Sequence, residues 1–104
     1  MATPHTLSFS QVIVTTLDIN TASAFTVPAD CIWKVESAGI AGTKGLIYLQ
    51  DSSSHNLAIL FSSFNNDDYG APLPFWLSQG FAGSFMNASE FKSVISITEY
   101  VVVP

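Results

Sequence analysis

The sequence predicts an all-β protein of about eight antiparallel strands, folded as a sandwich or a barrel. Three observations support this prediction. Apolar residues recur with a period close to two along nearly the whole chain, and helical spacing is hard to find. Turn residues interrupt this pattern about every 8 to 12 residues, which is the spacing of sandwich and barrel strands. The chain has 104 residues, enough for a single domain with its own core.

The first and last predicted strands are the longest. Along residues 7–16, Leu7 and Phe9 fall in one phase of the alternation and Val12 and Val14 in the other, which predicts a bulge near Gln11. Residues 93–103 form a β-branched run that we expect to lie centrally, next to the first strand. The other predicted strands are residues 24–27, 31–39, 46–50, 57–61, 73–77 and 81–86.

Charge is scarce in this chain. Charged residues make up 11% of it, where about 25% is usual, and the net charge is −5. Arginine is absent and the three lysines stand apart, so we expect no nucleic-acid partner. No apolar run approaches the roughly 20 residues of a membrane helix, and no secretory signal is visible. We therefore expect that the chain does not insert into a membrane. We expect it to be assembled in a cytosol.

Several predicted central strands are apolar on both faces. Residues 46–49 and 57–61 are continuous apolar runs, whereas a two-layer sandwich buries only one face of each strand. A bare second face would be an aggregation liability, so we expect a second copy of the chain to cover it. The predicted interface residues are Ile47, Leu49, Ala58, Leu60 and Trp76.

Three segments resemble a known family. Residues 25–39 (Phe-Thr-Val-Pro-Ala-Asp-Cys-Ile-Trp-Lys-Val-Glu-Ser-Ala-Gly) resemble the "tVPag..WkIesag" signature of small jelly-roll modules in bacteriophage virion proteins, including trimeric head fibres, spikes and fibre tips. Residues 72–80 are similar to their "P.W.p.G" segment, and residues 97–104 to their closing strand. The resemblance implies that residues 1–104 form a single tumour-necrosis-factor-like jelly-roll β-sandwich, commonly a homotrimer displayed on a virus particle.

The function expected from this resemblance and from the uncharged strands is structural. The chain would be a capsid decoration, spike or head-fibre component of the virion, assembled in the host cytoplasm, and would act by self-association and attachment to other virion proteins. The alternative is a receptor- or glycan-binding module of a phage fibre or spike. For that alternative, the candidate ligand contacts are Phe64, Asn66, Tyr69 and Trp76, because sugar sites combine aromatic platforms with amide groups.

The sequence offers little for catalysis or metal binding. Residues 51–55 contain the side chains of a hydrolytic triad, but all within one loop, whereas a working triad needs groups held on separate rigid elements. We therefore expect no enzymatic activity and no cofactor. Asp67 and Asp68 supply oxygen ligands suited to calcium without the spacing of a calcium loop, so a plain turn is favoured over a metal site. Cys31 is the single cysteine and is expected to pack as a buried apolar residue.

Overall fold

The computed structural model describes residues 6–64, 67–68 and 73–103, with the side chains of residues 63–64 and 67–68 left out. The described chain consists of strands and their connections. None of these residues belongs to a helix long and apolar enough to cross a membrane. The strands are β1 (Thr6–Leu17), β2 (Ala22–Thr26), β3 (Cys31–Ile40), β4 (Gly45–Asp51), β5 (Asn56–Phe64), β6 (Asp67–Asp68), β7 (Phe75–Leu77), β8 (Ala82–Ala88) and β9 (Ser93–Val103).

These strands form two antiparallel sheets. The first sheet has the order β1-β9-β3-β7, and the second has the order β2-β8-β4-β5-β6. The chain changes sheet at every connection except those from β4 to β5 and from β5 to β6. This alternation between two packed sheets is the topology of a jelly roll. The predicted all-β jelly-roll sandwich is therefore confirmed.

The last strand organises the first sheet. β9 lies between β1 and β3 and is antiparallel to both, as expected for this long β-branched run. The register between β1 and β9 shifts between Phe9 and Gln11, which confirms the predicted bulge. The bulge inserts one extra residue in β1, so the side chains before and after it return to the same face of the sheet.

The core lies between the two sheets and is filled by alternate residues of their strands. Val35, Ile95 and Ile97 of the first sheet and Ile47 and Phe85 of the second are among its most deeply buried members. Aromatic rings bridge the sheets at one point of this layer. The ring of Phe25 in β2 stacks on Phe85 in β8 with centroids 4.4 Å apart, and on Trp33 in β3 at 5.4 Å.

Most strand boundaries differ from the prediction by one to three residues, and two of these differences concern the segment before β7. Residues 62–72 were expected to form one long loop, but β5 continues to Phe64, and its backbone pairs with the two-residue strand Asp67–Asp68. The polar composition of this segment is as compatible with a solvent-facing hairpin as with a loop, because a strand needs an apolar residue on only one face. β7 begins at Phe75 rather than residue 73, directly after Pro74, which has no N–H to donate to a ladder.

Replacing Ile97 tests the position of the core. Ile97 is fully buried, so Ile97→Ala should lower the free energy of unfolding by about 2 to 5 kcal/mol through lost burial and a cavity. The matched control is Ile19→Ala in the exposed turn between β1 and β2, which should cost about 0.5 kcal/mol or less. Urea denaturation followed by tryptophan fluorescence measures both. Equal losses for the two variants would contradict the core assignment.

Candidate functional site

Four of the five predicted interface residues face the chain's own core. Ile47, Leu49 and Leu60 are 0%, 2% and 2% exposed, and Ala58 packs against the same cluster. The fully buried residues leave no surface for a second copy, so the interface prediction for Ile47, Leu49 and Leu60 is wrong. The reason is that an uninterrupted apolar run does not reveal which alternate residues point inward. The outward apolar residues of these strands are Leu46, Tyr48, Leu57 and Ile59.

Trp76 is the predicted site residue that lies at the surface. It projects from the outer side of β7 and is 49% exposed. Its indole stacks on Tyr100 of β9 with ring centroids 5.9 Å apart, and the Nζ atom of Lys34 lies 5.4 Å from its ring centre. These contacts fix the ring as a half-exposed platform.

The other predicted ligand and metal residues are not tested. Asn66 and Tyr69 lie outside the described residues, and so do the side chains of Phe64, Asp67 and Asp68. Among the residues that are described, no three His, Cys, Asp or Glu side chains come together to hold a metal ion. The sugar and calcium sites proposed for the segment around Asp67 thus stay predictions.

Most of the strongly exposed apolar side chains lie on the outer side of the first sheet. Within β1, Leu7, Phe9, Val12 and Val14 are 46–62% exposed. They share one face because the bulge brings the two predicted phases together, and because residues opposite each other on β9 point the same way. We call this surface the outer apolar face; its members are Leu7, Phe9, Val12, Val14, Ile32, Trp76, Val94, Tyr100 and Val102.

Lys34 and Glu36, which lie beside the outer apolar face on β3, neutralise each other. The Nζ atom of Lys34 lies 3.4 Å from Oε1 of Glu36, and the hydroxyl of Thr98 donates a hydrogen bond to the same oxygen at 3.1 Å. A paired charge that keeps its hydrogen bonds costs less to remove from water than an isolated one. The face can therefore be covered without leaving either charge unpaired.

A groove extends the outer apolar face at one end of the sheet. It has a volume of about 400 Å³ and lies over Gly39, where the absent side chain leaves open space. Thr16 and Val94 on the neighbouring strands form its sides. The outer side of the sheet thus carries the apolar side chains of β1 and a hollow at Gly39, which Lys92 also lines. Ser96 and Thr98 of β9 lie between this hollow and Tyr100 on the same side.

A buried carboxylate anchors the strand that carries this face. Glu99 in β9 is 6% exposed and accepts a hydrogen bond from Nε1 of Trp33 in β3 at 2.8 Å. Across the bulge in β1, the Ser10 hydroxyl and the Gln11 amide donate to its other oxygen at 3.0 and 3.1 Å. The Trp33 hydrogen bond chiefly lowers the pKa of Glu99; burial opposes this effect, and the two β1 donors reinforce it. Its oxygens are thus occupied as acceptors, and Glu99 acts as an anchor rather than as a free acid or base.

Cys31 is buried among the core residues, as predicted. Burial chiefly raises the pKa of its thiol to about 11, and a hydrogen bond to Asp30 and the nearby charges of Glu99 and Asp30 act in the same direction. The thiolate is the reactive form of cysteine, so this thiol is inert at neutral pH.

The triad-like residues close a turn. Nδ1 of His55 lies 3.2 Å from Oδ2 of Asp51, while Oδ1 of Asp51 accepts the backbone N–H groups of Ser53 and His55, both at 2.9 Å. The His55 N–H is the main cause of a lowered pKa at Asp51. In this described turn, none of the hydroxyls of residues 52–54 is hydrogen-bonded to the imidazole. The carboxylate therefore organises the connection from β4 to β5.

Comparisons of the chain with protein-family models, with curated proteins and with solved structures found no match. Its function is therefore argued from its own geometry, above all from the outer apolar face and its anchor at Glu99.

Glu99→Gln tests the anchor. At pH 7 the free energy of unfolding of this variant should be about 1 to 3 kcal/mol lower than that of the unmodified chain. The reason is that a neutral amide accepts these hydrogen bonds more weakly and adds competing donors. The pKa of Glu99 is lowered in the folded chain. The stability that its ionised carboxylate contributes is therefore present above the ordinary carboxyl pKa and is lost as the pH falls through the pKa of the folded state. The difference between the two proteins in urea denaturation should therefore shrink on acidification.

The matched control is Glu36→Gln, which removes an exposed ion pair and should cost less than about 1 kcal/mol. The role of Glu99 as an anchor would be contradicted if Glu99→Gln were as stable as the unmodified chain at pH 7. It would also be contradicted if the difference in the free energy of unfolding between the two proteins stayed constant down to about pH 2.

Proposed function

We propose that the protein is a structural jelly-roll module that acts by self-association, with the outer apolar face as its contact surface. The observation that carries this proposal is the clustered exposure of Leu7, Phe9, Val12 and Val14 on one side of one strand. Soluble monomers rarely leave contiguous apolar patches of this kind open to water. Contact with a second copy would cover part of this face, and attachment to other virion proteins would cover the rest.

The free energy gained by burying these apolar side chains suits a reversible contact between copies. Full burial of a large apolar side chain contributes about 1.5 to 3 kcal/mol, so covering a half-exposed one returns about 1 kcal/mol. The four β1 side chains of two copies then supply about 8 kcal/mol, against an association cost of about 4 to 15 kcal/mol. The face therefore drives association but needs further contacts beside it for a tight complex.

The charge distribution favours contact at this face over contact elsewhere. Two copies of a chain with a net charge of −5 repel each other, and the repulsion grows where unpaired carboxylates approach. At the outer apolar face the nearby carboxylate of Glu36 is paired with Lys34. The proposed mechanism is burial of this surface, and it requires no catalytic residue and no cofactor.

The particle we propose for this module is a phage virion, assembled in the host cytoplasm, where the chain serves as a decoration, spike or head-fibre component and contacts other virion proteins. The three segments that resemble phage jelly-roll modules support this proposal, as does the interleaved two-sheet topology. The resemblance implies three copies, whereas an apolar face by itself specifies burial and not symmetry.

A glycan-binding module is the second candidate. The half-exposed indole of Trp76, held against Tyr100 and Lys34, favours it, because a fixed aromatic platform with polar groups beside it suits a sugar ring.

Val12→Lys tests the proposed contact surface. Val12 is 58% exposed on the β1 side of the outer apolar face, and a lysine there would place an unpaired charge in the contact. The variant should dissociate to the 11.2 kDa monomer at concentrations at which the unmodified chain associates, with a dissociation constant raised at least tenfold (~1.4 kcal/mol). Size-exclusion chromatography with light scattering measures the mass.

The matched control is Ala24→Lys on the outer side of the second sheet, which should associate like the unmodified chain. Retained association in Val12→Lys, or loss of association in both variants, would contradict the assignment of the contact to the outer apolar face.

Trp76→Ala distinguishes the two candidates. Weaker association of the variant would place the exposed indole in the contact between copies. If the glycan reading is correct, the oligomer stays intact and a signal on a glycan array is abolished. Light scattering and the array are run on the same preparation.

A further inference from the structure

One edge of β1 pairs with no strand that the structure describes. β1 is the outermost strand of the first sheet and is 12 residues long, and among the described strands β9 is its single ladder partner. In an antiparallel strand, alternate pairs of N–H and C=O groups point away from the neighbour. Residues 6–12 are exposed on both faces as well, so the backbone along this edge is open to a further strand.

The composition of this edge does not prevent pairing. Natural sheets protect a long edge with lysines, prolines, short strands or a covering segment. Thr6–Leu17 contains no charged residue and no proline. The other edge strands that the structure describes are shorter: β7 has three residues, β2 has five and β6 has two. β1 is thus the one long edge in the described part of the chain that is neutral and open.

We propose that two copies pair antiparallel through their β1 edges, about a two-fold axis near Ser10 and Gln11, so that their first sheets join into one sheet of eight strands. This inference rests on the proposed function and narrows the contact between copies to the β1 side of the outer apolar face, where Leu7, Phe9, Val12 and Val14 lie.

One register makes the edge complementary to itself. With Ser10 opposite Gln11 of the second copy, Phe9 lies opposite Val12 and Leu7 opposite Val14. All four apolar residues point to the outer side of the sheet in each copy, so these pairs form on the same side. The bulges of the two strands meet at the axis, which keeps both strands in phase on either side of it.

A second copy fits this edge better than an unrelated strand. A two-fold contact requires one patch to complement itself, and the register above does so with apolar pairs and a polar pair at the axis. The edge is also neutral, so it is the place where two chains of net charge −5 approach with little repulsion. Phe9 then covers Val12, and Leu7 covers Val14, across the joint between the two copies. The rest of the two outer apolar faces forms one surface for attachment to other virion proteins.

Disulfide trapping tests this geometry with the double variant Leu7→Cys/Val14→Cys. Within one chain the two positions are about 20 Å apart along the strand, which is too far for a disulfide, so a bond must join two copies. Cys31 does not compete, because its side chain is buried in the core and does not reach a second copy. Mild oxidation should give a covalent two-copy species with a yield at least about tenfold above that of the control.

The control is Leu7→Cys/Val94→Cys. Val94 also lies on the outer apolar face but on β9, one strand away from the edge, so edge pairing leaves this combination too far apart to bond. If light scattering shows association but the two variants crosslink equally, or if the mass is that of three copies, edge pairing is overturned while the proposed function stands. If no association is observed at any concentration, both fail.

Amide hydrogen exchange of the unmodified chain provides a test without substitutions. Outward N–H groups of Thr6–Leu17 should exchange at least about tenfold more slowly at a concentration at which the chain is associated than at one at which it is monomeric. Exchange that is equally fast in both states, with association verified by mass, overturns the pairing.

Discussion

The buried carboxylate of Glu99 determines how the first sheet presents its surface. Donors from β1 and β3 meet on this β9 side chain, and no cation among the described residues shares it, so each hydrogen bond has to be kept for the charge to remain buried. Two of the donors, Ser10 and Gln11, are the residues of the β1 bulge. The bulge in turn sends the apolar side chains before and after it to the outer side. A polar anchor inside the sandwich thus produces the apolar surface outside it.

The structure shows which surfaces of the chain carry few charges. The outer side of the first sheet carries the exposed apolar residues of β1, and Lys34 and Glu36 on the same side neutralise each other. The outer side of β2 and β8 in the second sheet consists largely of small residues, among them Ala22, Ala24 and Ala82. Self-association at the first sheet is our explanation for this distribution, and it makes the chain a building block whose action is burial.

The sequence predicted the strands and the neighbours of the last strand more readily than it predicted which side chains face outward. Period-two alternation with a phase change placed the β1 bulge, and β-branched composition placed β9 at the centre. The sequence did not show which alternate residues of the apolar runs 46–49 and 57–61 point inward, because a run without polar alternation looks the same in both registers. Ile47 was therefore assigned to the wrong side of its strand. The partners of Glu99 were equally hidden, since they lie 66 to 89 residues away in the chain and come together through sheet pairing alone.

Sedimentation equilibrium of the unmodified chain tests the central claim most directly, because it measures mass without any change to the surface. Over roughly 1 to 100 µM, a range that brackets the affinity of a modest interface, the account predicts a mass that rises reversibly from the 11.2 kDa monomer to a defined multiple of it. A chain that stays at 11.2 kDa and in solution throughout this range would contradict the claim that the chain self-associates through the outer apolar face.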